Sequence, residues 1–599
     1  MRHTAIVDVF RRVFLSFLLV CSASALDAGA ASLSKDWKRL DSEHFIGVGN
    51  ASDRDLRRAL SELEGFRSAL AMLFPRIRLT SDVPTELVLF KNTSTFARFA
   101  PRNEKGKRLQ DIAGYFLTLP SANFFVLSAR DDEMSLEVAY HEFAHYVLHR
   151  NVHGLPAWLN EGLSDFYSTF ETNHKDGRFL IGRAPVWRIQ TLRSEPLLPL
   201  RQIITPEGSA RLFAKRDRIQ MFYAESWAFV HFITFGDNGR RRGQLSAYIG
   251  ALTSGRSTEE AFQTAFGGTF DELESQLRRY LARGQMPAML IDPQTSALST
   301  AQIDKPAEPL TVAAAEAIQG SLLVSVGAFE DADRRLAAAL ADDSRDLQAR
   351  VWQGALRLHQ ERYDDALGLF QAAATEAPSD FAAQYFLGLA LRQVGRYEDA
   401  LQADSRATTL NPQSPISWYE LSLAALALSR DSQADAAFTQ VRRIDSDESW
   451  IQIRAYAALP LGRPDMAARD ALDYIRERGW GDDSAPYCAF LAAISYRRLG
   501  RSADADATLT QAAAVVDPKS WTANVLAFLQ GKLDSAQFLA RADETGERTE
   551  AHTYIGFRDL EAGRTKEALE HFQWVKDGGS RNYVEYPLAL GELRRLKAP

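Results

Sequence analysis

The sequence predicts an α+β domain followed by an all-α repeat solenoid. Three observations carry that prediction. Residues 36–283 mix β-branched and aromatic runs with segments of helical apolar spacing. From about Val312 onward the chain is rich in Ala and Leu, and only helical spacing remains. Within this second half an aromatic recurs every 34 residues, at Phe329, Tyr363 and Tyr397.

Composition narrows the class. The 599 residues are 46% hydrophobic and 25% charged, as in a folded globular chain. Lys and Arg total 70 against 77 Asp and Glu, a net −7, which gives no support to a nucleic-acid binder relying on a global positive field. Two cysteines rule out a disulfide framework and a Cys-based zinc finger.

The first residues read as an address. Arg2, Arg11 and Arg12 precede the apolar run Val13 to Val20, and the small-residue tail CSASALDAGAAS follows. This is the pattern of a secretory signal peptide over residues 1–25, with Ala23-Ser24-Ala25 or Ala28-Gly29-Ala30 as the cleavage site. The apolar run falls well short of the ~20 residues that span a bilayer. A retained signal anchor is the alternative. Arg11-Arg12 also resembles a twin-arginine signal, although Phe10 stands where Ser or Thr is expected. The chain is therefore expected to be exported, to a bacterial periplasm or the medium, with no membrane span after cleavage. It would then keep one thiol, Cys488, expected in the core of a repeat helix, and need no internal disulfide.

The first domain can be justified element by element. His44–Val48 and Thr85–Phe90 read as strands, and Asp53–Phe74 reads as a helix stopped by Pro75. Tyr115–Leu119 and Asn123–Leu127 read as a hairpin around Pro120-Ser121-Ala122. Ser135–His149 is the next helix, with Asp131, Asp132 and Glu133 favouring its start. Helices dominate from Pro156 to Arg283. Residues 284–311, with Pro287, Pro293, Pro306 and Pro309, read as a linker or a wrapped connection.

The second half, 312–599, repeats the segments GAFEDA, ERYDDA and GRYEDA. An alanine three residues after the aromatic position recurs at Ala332, Ala366, Ala400, Ala434, Ala467, Ala505, Ala536 and Ala568. This period is the tetratricopeptide pattern, in which small residues let paired helices approach and stacking buries each pair's apolar face. About eight helix pairs are expected. The fourth has Asp431 in the aromatic position, and the later ones drift in length. A protein partner on this array is expected.

One constellation carries chemistry. His141-Glu142-Phe143-Ala144-His145 is an H-E-x-x-H sequence on a predicted helix, so both imidazoles share a face and can meet one metal ion. Pro156 can open a second helix, which presents Glu161 to the same metal. Asp165 lies one turn beyond Glu161, where it can accept the N–H of a ligand histidine, His141 first, and fix its tautomer. Two His and one Glu leave the fourth zinc position open, the catalytic arrangement. The metzincin variant fails, because Leu148 and Asn151 stand where Gly and a third His are required. His149 reads as a cation at a helix C-terminus.

The run HEFAH, then LPAWLNEGLSDFYS, resembles the gluzincin metallopeptidases, most closely the bacterial peptidase MA-like group. The resemblance spans about 36–284, and its specific part is confined to 135–170. It implies a zincin-like fold, Zn2+ bound by His141, His145 and Glu161, and Glu142 as general base in metal-assisted hydrolysis of a peptide or protein. A downstream Tyr or His is expected to stabilise the oxyanion, Tyr223 first and His231 second. The strand Asn123–Leu127 is expected to be an edge on which a peptide lies. The expected function is an exported zinc peptidase. The alternative is a catalytically idle peptidase-fold scaffold whose repeat array assembles an envelope protein complex.

Overall fold

The computed structural model describes residues 36–599 apart from 103–107, 110–111, 130–131, 153–154, 174–177, 206–217, 255, 285, 293–302, 304, 582 and 598–599. The expected signal peptide and Asp131 lie outside the described residues. Among the described residues the chain forms two compact units, one from residues 36–100 and 108–315, the other mainly from 316–599.

The first unit is mixed α/β. Strand β1 (Lys38–Asp41) pairs antiparallel with β2 (Ile46–Gly49). Helix α1 (Asp53–Leu73) then crosses to β3 (Thr85–Phe90), which lies parallel to β2. Ser52 caps α1 by accepting from the Asp55 N–H, and Leu56, Leu60, Leu63, Phe66 and Leu70 form its buried stripe. Strands β4 (Gly114–Thr118) and β5 (Asn123–Ser128) form the expected hairpin, and β5 runs parallel to β3.

The sheet order β4-β5-β3-β2-β1, with the short strand Glu308–Pro309 beyond β1, corrects one expectation. Strand β5 is interior, because its hairpin partner β4 covers the side left free by β3. The outer strand beside it is β4. Every residue of β5 is buried, which suits its central apolar run FFVL.

Helix α2 (Asp132–Asn151) packs on the sheet through Phe143, whose ring centroid lies 5.9 Å from those of both Phe45 and Phe125. Helix α3 (Ala157–Ser168) follows, with Pro156 at its N-cap. Strands β6 (Glu171–Thr172) and β7 (Phe179–Ile181) lead to helix α4 (Val186–Ser194) and to the largely buried helix α5 (Ile219–Phe235). Helices α6 (Arg242–Thr253), α7 (Thr258–Phe266) and α8 (Phe270–Ala282) complete the unit.

Residues 284–311 do more than link. Strand β8 (Met289–Ile291) joins β6 and β7 in a three-stranded sheet, and β9 (Glu308–Pro309) pairs with β1. Pro309 is tolerated there because β9 is an outer strand that owes no N–H to a further neighbour.

The second unit is a helical solenoid. Helix pairs run from Val312–Ser325 with Phe329–Asp342 to Thr545–Glu561 with Thr565–Gly578, and a final helix spans Glu585–Lys597. Among the described residues this makes eight pairs and a closing helix. Seven of the eight recurring alanines are fully buried. Ala536 is exposed instead, because the helix carrying it (Ser535–Leu539) is only five residues long and Phe538 fills the interface. A second 34-residue series escaped the sequence reading. Gly320, Gly354 and Gly388 sit where a Cβ would come within 2.6 Å of Leu336 and Phe370, and closer still to Asp404, on the paired helix. Cys488 is buried in a repeat helix. Among the described residues no helix is long and apolar enough to cross a membrane.

Candidate metal centre

Two helices build the site. On α2, His141 and His145 are one turn apart on the face opposite the buried Ala139, Phe143 and Val147. On α3, Glu161 and Asp165 are likewise one turn apart. Close packing of α3 against α2 brings the two pairs together. The polar cluster is half-buried at His141, Glu142, His145 and Glu161 and fully buried at Ser164 and Asp165.

The ligand atoms converge. Glu161 Oε2 lies 3.5 Å from His141 Nε2 and 3.4 Å from His145 Nε2. The two Nε2 atoms are 2.9 Å apart, with the rings crossed at 82°. Among the described residues these three form the group of His, Cys, Asp or Glu able to hold a metal ion, all within 4.8 Å of one another. Bonds of about 2.0–2.1 Å to a tetrahedral ion place neighbouring ligand atoms about 3.3 Å apart, so the donor set fits such an ion.

Each histidine is held from behind. Asp165 Oδ1 lies 3.0 Å from His141 Nδ1. His145 Nδ1 lies 3.1 Å from Asn160 Oδ1 and 3.0 Å from Ser164 Oγ. Both Nδ1 atoms are thereby engaged, which directs both Nε2 atoms toward Glu161. Asp165 was expected in this role. Asn160 and Ser164 were missed, although their one-turn spacing beside Glu161 and Asp165 marked the same face.

Electrostatics couple the cluster. Burial alone would lower the His141 pKa, but the contacts with Asp165 and Glu161 outweigh it and push it up to about 10. Burial would raise Glu161, but hydrogen bonding with the two imidazoles prevails and holds it at about 2. The carboxylates thus demand a positive charge between them. A proton on His141 meets that demand, and a bound metal ion would replace it.

Arg188 on α4 is a further component. It is 4% exposed and donates from Nε to Asp165 Oδ2 across 2.7 Å. Its guanidinium carbon stacks 3.7 Å from the exposed Trp187 ring centroid and 5.1 Å from that of Tyr223. No motif or periodicity in PVWRIQTLR singles it out.

The two oxyanion candidates separate. Tyr223 on α5 is half-buried, and its hydroxyl pKa is pushed up to about 12, by burial first and then by the charge of Glu161, with Asp165 and Glu142 adding. Its ring therefore lies in the field of the cluster. His231, two turns further along α5, is fully buried elsewhere. Its Nε2 lies 3.0 Å from the Pro287 carbonyl oxygen and its Nδ1 2.8 Å from the Tyr280 hydroxyl. Burial pushes its pKa down to about 4. His231 is thus spent in the core. His149 is exposed in the last turn of α2, as expected.

Comparison with known proteins addresses the second unit. A tetratricopeptide repeat family profile matches residues 319–381, 360–415 and 385–449. No curated protein matches the chain. Similar solved structures include a tetratricopeptide repeat protein from Parabacteroides merdae, at 16% identity over 47% of this chain and 100% of that one, with a TM-score of 0.31. Pseudomonas aeruginosa pilF aligns at 18% identity over 37% of this chain and 97% of its own, with a TM-score of 0.27. TTC0263, a thermophilic TPR protein in Thermus thermophilus, aligns at 18% identity over 33% and 99%, with a TM-score of 0.24. The C-terminal region of this chain therefore carries tetratricopeptide repeats over residues 319–449.

Proposed function

We propose that the first unit is a zinc-dependent peptidase of an exported protein, and that the repeat array recognises a protein partner. The observation that supports this most is the convergence of His141, His145 and Glu161 beside Glu142, with each imidazole oriented from behind.

His141, His145 and Glu161 would hold the zinc ion, which supplies Lewis acidity toward a scissile carbonyl and toward water. Glu142 follows His141 directly on α2, so its carboxylate can take the proton of an attacking water and return it to the leaving amine. Tyr223, neutral up to about 12, keeps a hydroxyl proton to donate to the carbonyl oxygen as negative charge grows on it. Outer strand β4 offers backbone N–H and C=O groups to an extended peptide.

The test is metal analysis and peptide cleavage by the full chain and by Glu142→Gln. Stoichiometric zinc in both, with cleavage only in the parent, supports the reading. Absence of zinc after mild purification in zinc-supplemented buffer overturns it. Zinc without cleavage of any peptide in a diverse library overturns the peptidase and leaves the idle scaffold, whose array alone does the work.

A further inference from the structure

The solenoid lines a half-open cavity of about 670 Å³ that the peptidase reading does not use. Its walls come from the helices Phe381–Gln393, Pro415–Ala427 and Ser449–Ala458 on one side and from the final helix Glu585–Lys597 on the other. That final helix is not a loose tail. Gly591 meets Pro460 so closely that a Cβ would fall 2.4 Å from the proline Cβ. The next residue, buried Glu592, takes both Nη atoms of Arg498 at 2.8 and 3.0 Å.

The lining is one-sided in charge. Arg392, Lys576, Arg594, Arg595 and Lys597 all line the cavity, and no Asp or Glu does among the described residues. The whole chain is acidic, at net −7, so this is a local reversal. The carboxylates within ion-pair reach of these cations are already engaged. Glu420 pairs with Arg392, Glu361 with Lys576, and Glu592 is shared by Arg595 and Arg498. Arg594 and Lys597 meet only neutral groups among the described residues. Arg594 donates to Gln393 and lies over the Tyr363 ring, and Lys597 donates to Gln573. The helix dipole accounts for cations in a last turn. Arg392 and Lys576 come from other helices to the same space, each beside its own carboxylate, which leaves Arg594 and Lys597 as the cations without a counter-charge among the described residues. Apart from Gln393, the rest of the wall is apolar or aromatic, including Leu423, Leu588 and Tyr419.

We propose that this cavity binds a small organic anion, a carboxylate, phosphate or sulfonate carried on an apolar body. The volume falls within the range of about 300–1,000 Å³ usual for small-molecule sites, in which a few polar groups orient a ligand against apolar walls. The cations would hold the acid group, and the apolar wall would hold the body.

The test uses the full chain with two probes, anilinonaphthalene sulfonate as organic anion and phenylnaphthylamine as its uncharged counterpart. One saturable sulfonate site per chain is expected. The double variant Arg594→Gln, Lys597→Gln, at two exposed positions, is expected to weaken it about tenfold, whereas Arg476→Gln, exposed and outside the cavity, leaves it unchanged. Raising salt at constant pH is expected to weaken the sulfonate and not the neutral probe, and needs no variant. Sulfonate affinity equal in parent and folded double variant, or insensitive to salt, overturns the proposal. So does equal, salt-independent binding of the neutral probe at the same site.

Discussion

Arg188 donates from Nε to Asp165 Oδ2 across 2.7 Å, and both side chains are buried. The other oxygen of the same carboxylate faces His141 Nδ1 at 3.0 Å. Asp165 therefore joins a cation on α4 to a predicted ligand on α2. Substitutions at the two ends of this link test it. Asp165→Asn is expected to weaken zinc binding by about 10- to 100-fold, because His141 loses the partner that orients it. Chelator competition measures this, and an unchanged affinity refutes the role. Arg188→Met leaves the buried carboxylate with His141 as its remaining cation and is expected to cost up to about 3 kcal/mol in denaturant unfolding, less than for a carboxylate left with none.

Gly162 follows Glu161 because α3 and α5 touch backbone to backbone there. A Cβ at this position would lie 2.5 Å from the Ser226 carbonyl oxygen and 2.8 Å from a Val230 methyl. The helix that must yield is the one carrying Tyr223. Gly162→Ala is expected to destabilise the unit by about 1–3 kcal/mol through overpacking. It is also expected to lower turnover more than zinc affinity, since the proposed ligands stay on α2 and α3. Parallel unfolding and metal titrations check both, and an unaltered unfolding midpoint removes the packing argument.

What the sequence disclosed follows from how local each signal is. Helical one-turn spacing placed His141 with His145 and Glu161 with Asp165, because a shared helix face needs no tertiary information. The 34-residue period revealed the repeats for the same reason. Position in the sheet was not legible. Asn123–Ser128 is an apolar strand whether inner or outer, and only the side on which β4 folds decides that. Arg188 was invisible because its meaning lies in Asp165, 23 residues away on another helix. His231 and Tyr223 occupy one helix, and only the burial of each side chain separates the core residue from the one near the cluster.

Tyr223→Phe isolates the proposed oxyanion role. The ring and its contact with the Arg188 guanidinium remain, and only the hydroxyl is lost. If that hydroxyl donates to charge that develops during reaction, kcat falls by about 10²- to 10³-fold while KM and zinc content hold. A KM effect with kcat preserved assigns Tyr223 to ground-state binding instead. His231→Gln is expected to act in the opposite way. It disturbs the contacts with Tyr280 and Pro287 and lowers stability, with little effect on turnover per folded molecule.

Glu225 gives the unit a pH signature away from the cluster of His141, His145 and Glu161. It is buried on α5 and accepts the Leu198 N–H at 2.6 Å. Burial pushes its pKa up to about 8, against the pull of that hydrogen bond and of Arg278 and with the added push of Glu274. Between the ordinary carboxyl pKa and about 8, the folded chain holds a proton at Glu225 that the unfolded chain has released. Stability from this group is therefore complete at low pH and is lost as pH rises through about 8, at a slope of up to about 1.4 kcal/mol per pH unit. Glu225→Gln keeps an acceptor for Leu198 and has no proton to lose. Its stability is expected to fall less than the parent's between about pH 5 and 8, with Glu86, His231 and other buried groups contributing equally to both chains. Parallel denaturant titrations across that range read the difference directly. Identical slopes in the two proteins exclude a protonated Glu225.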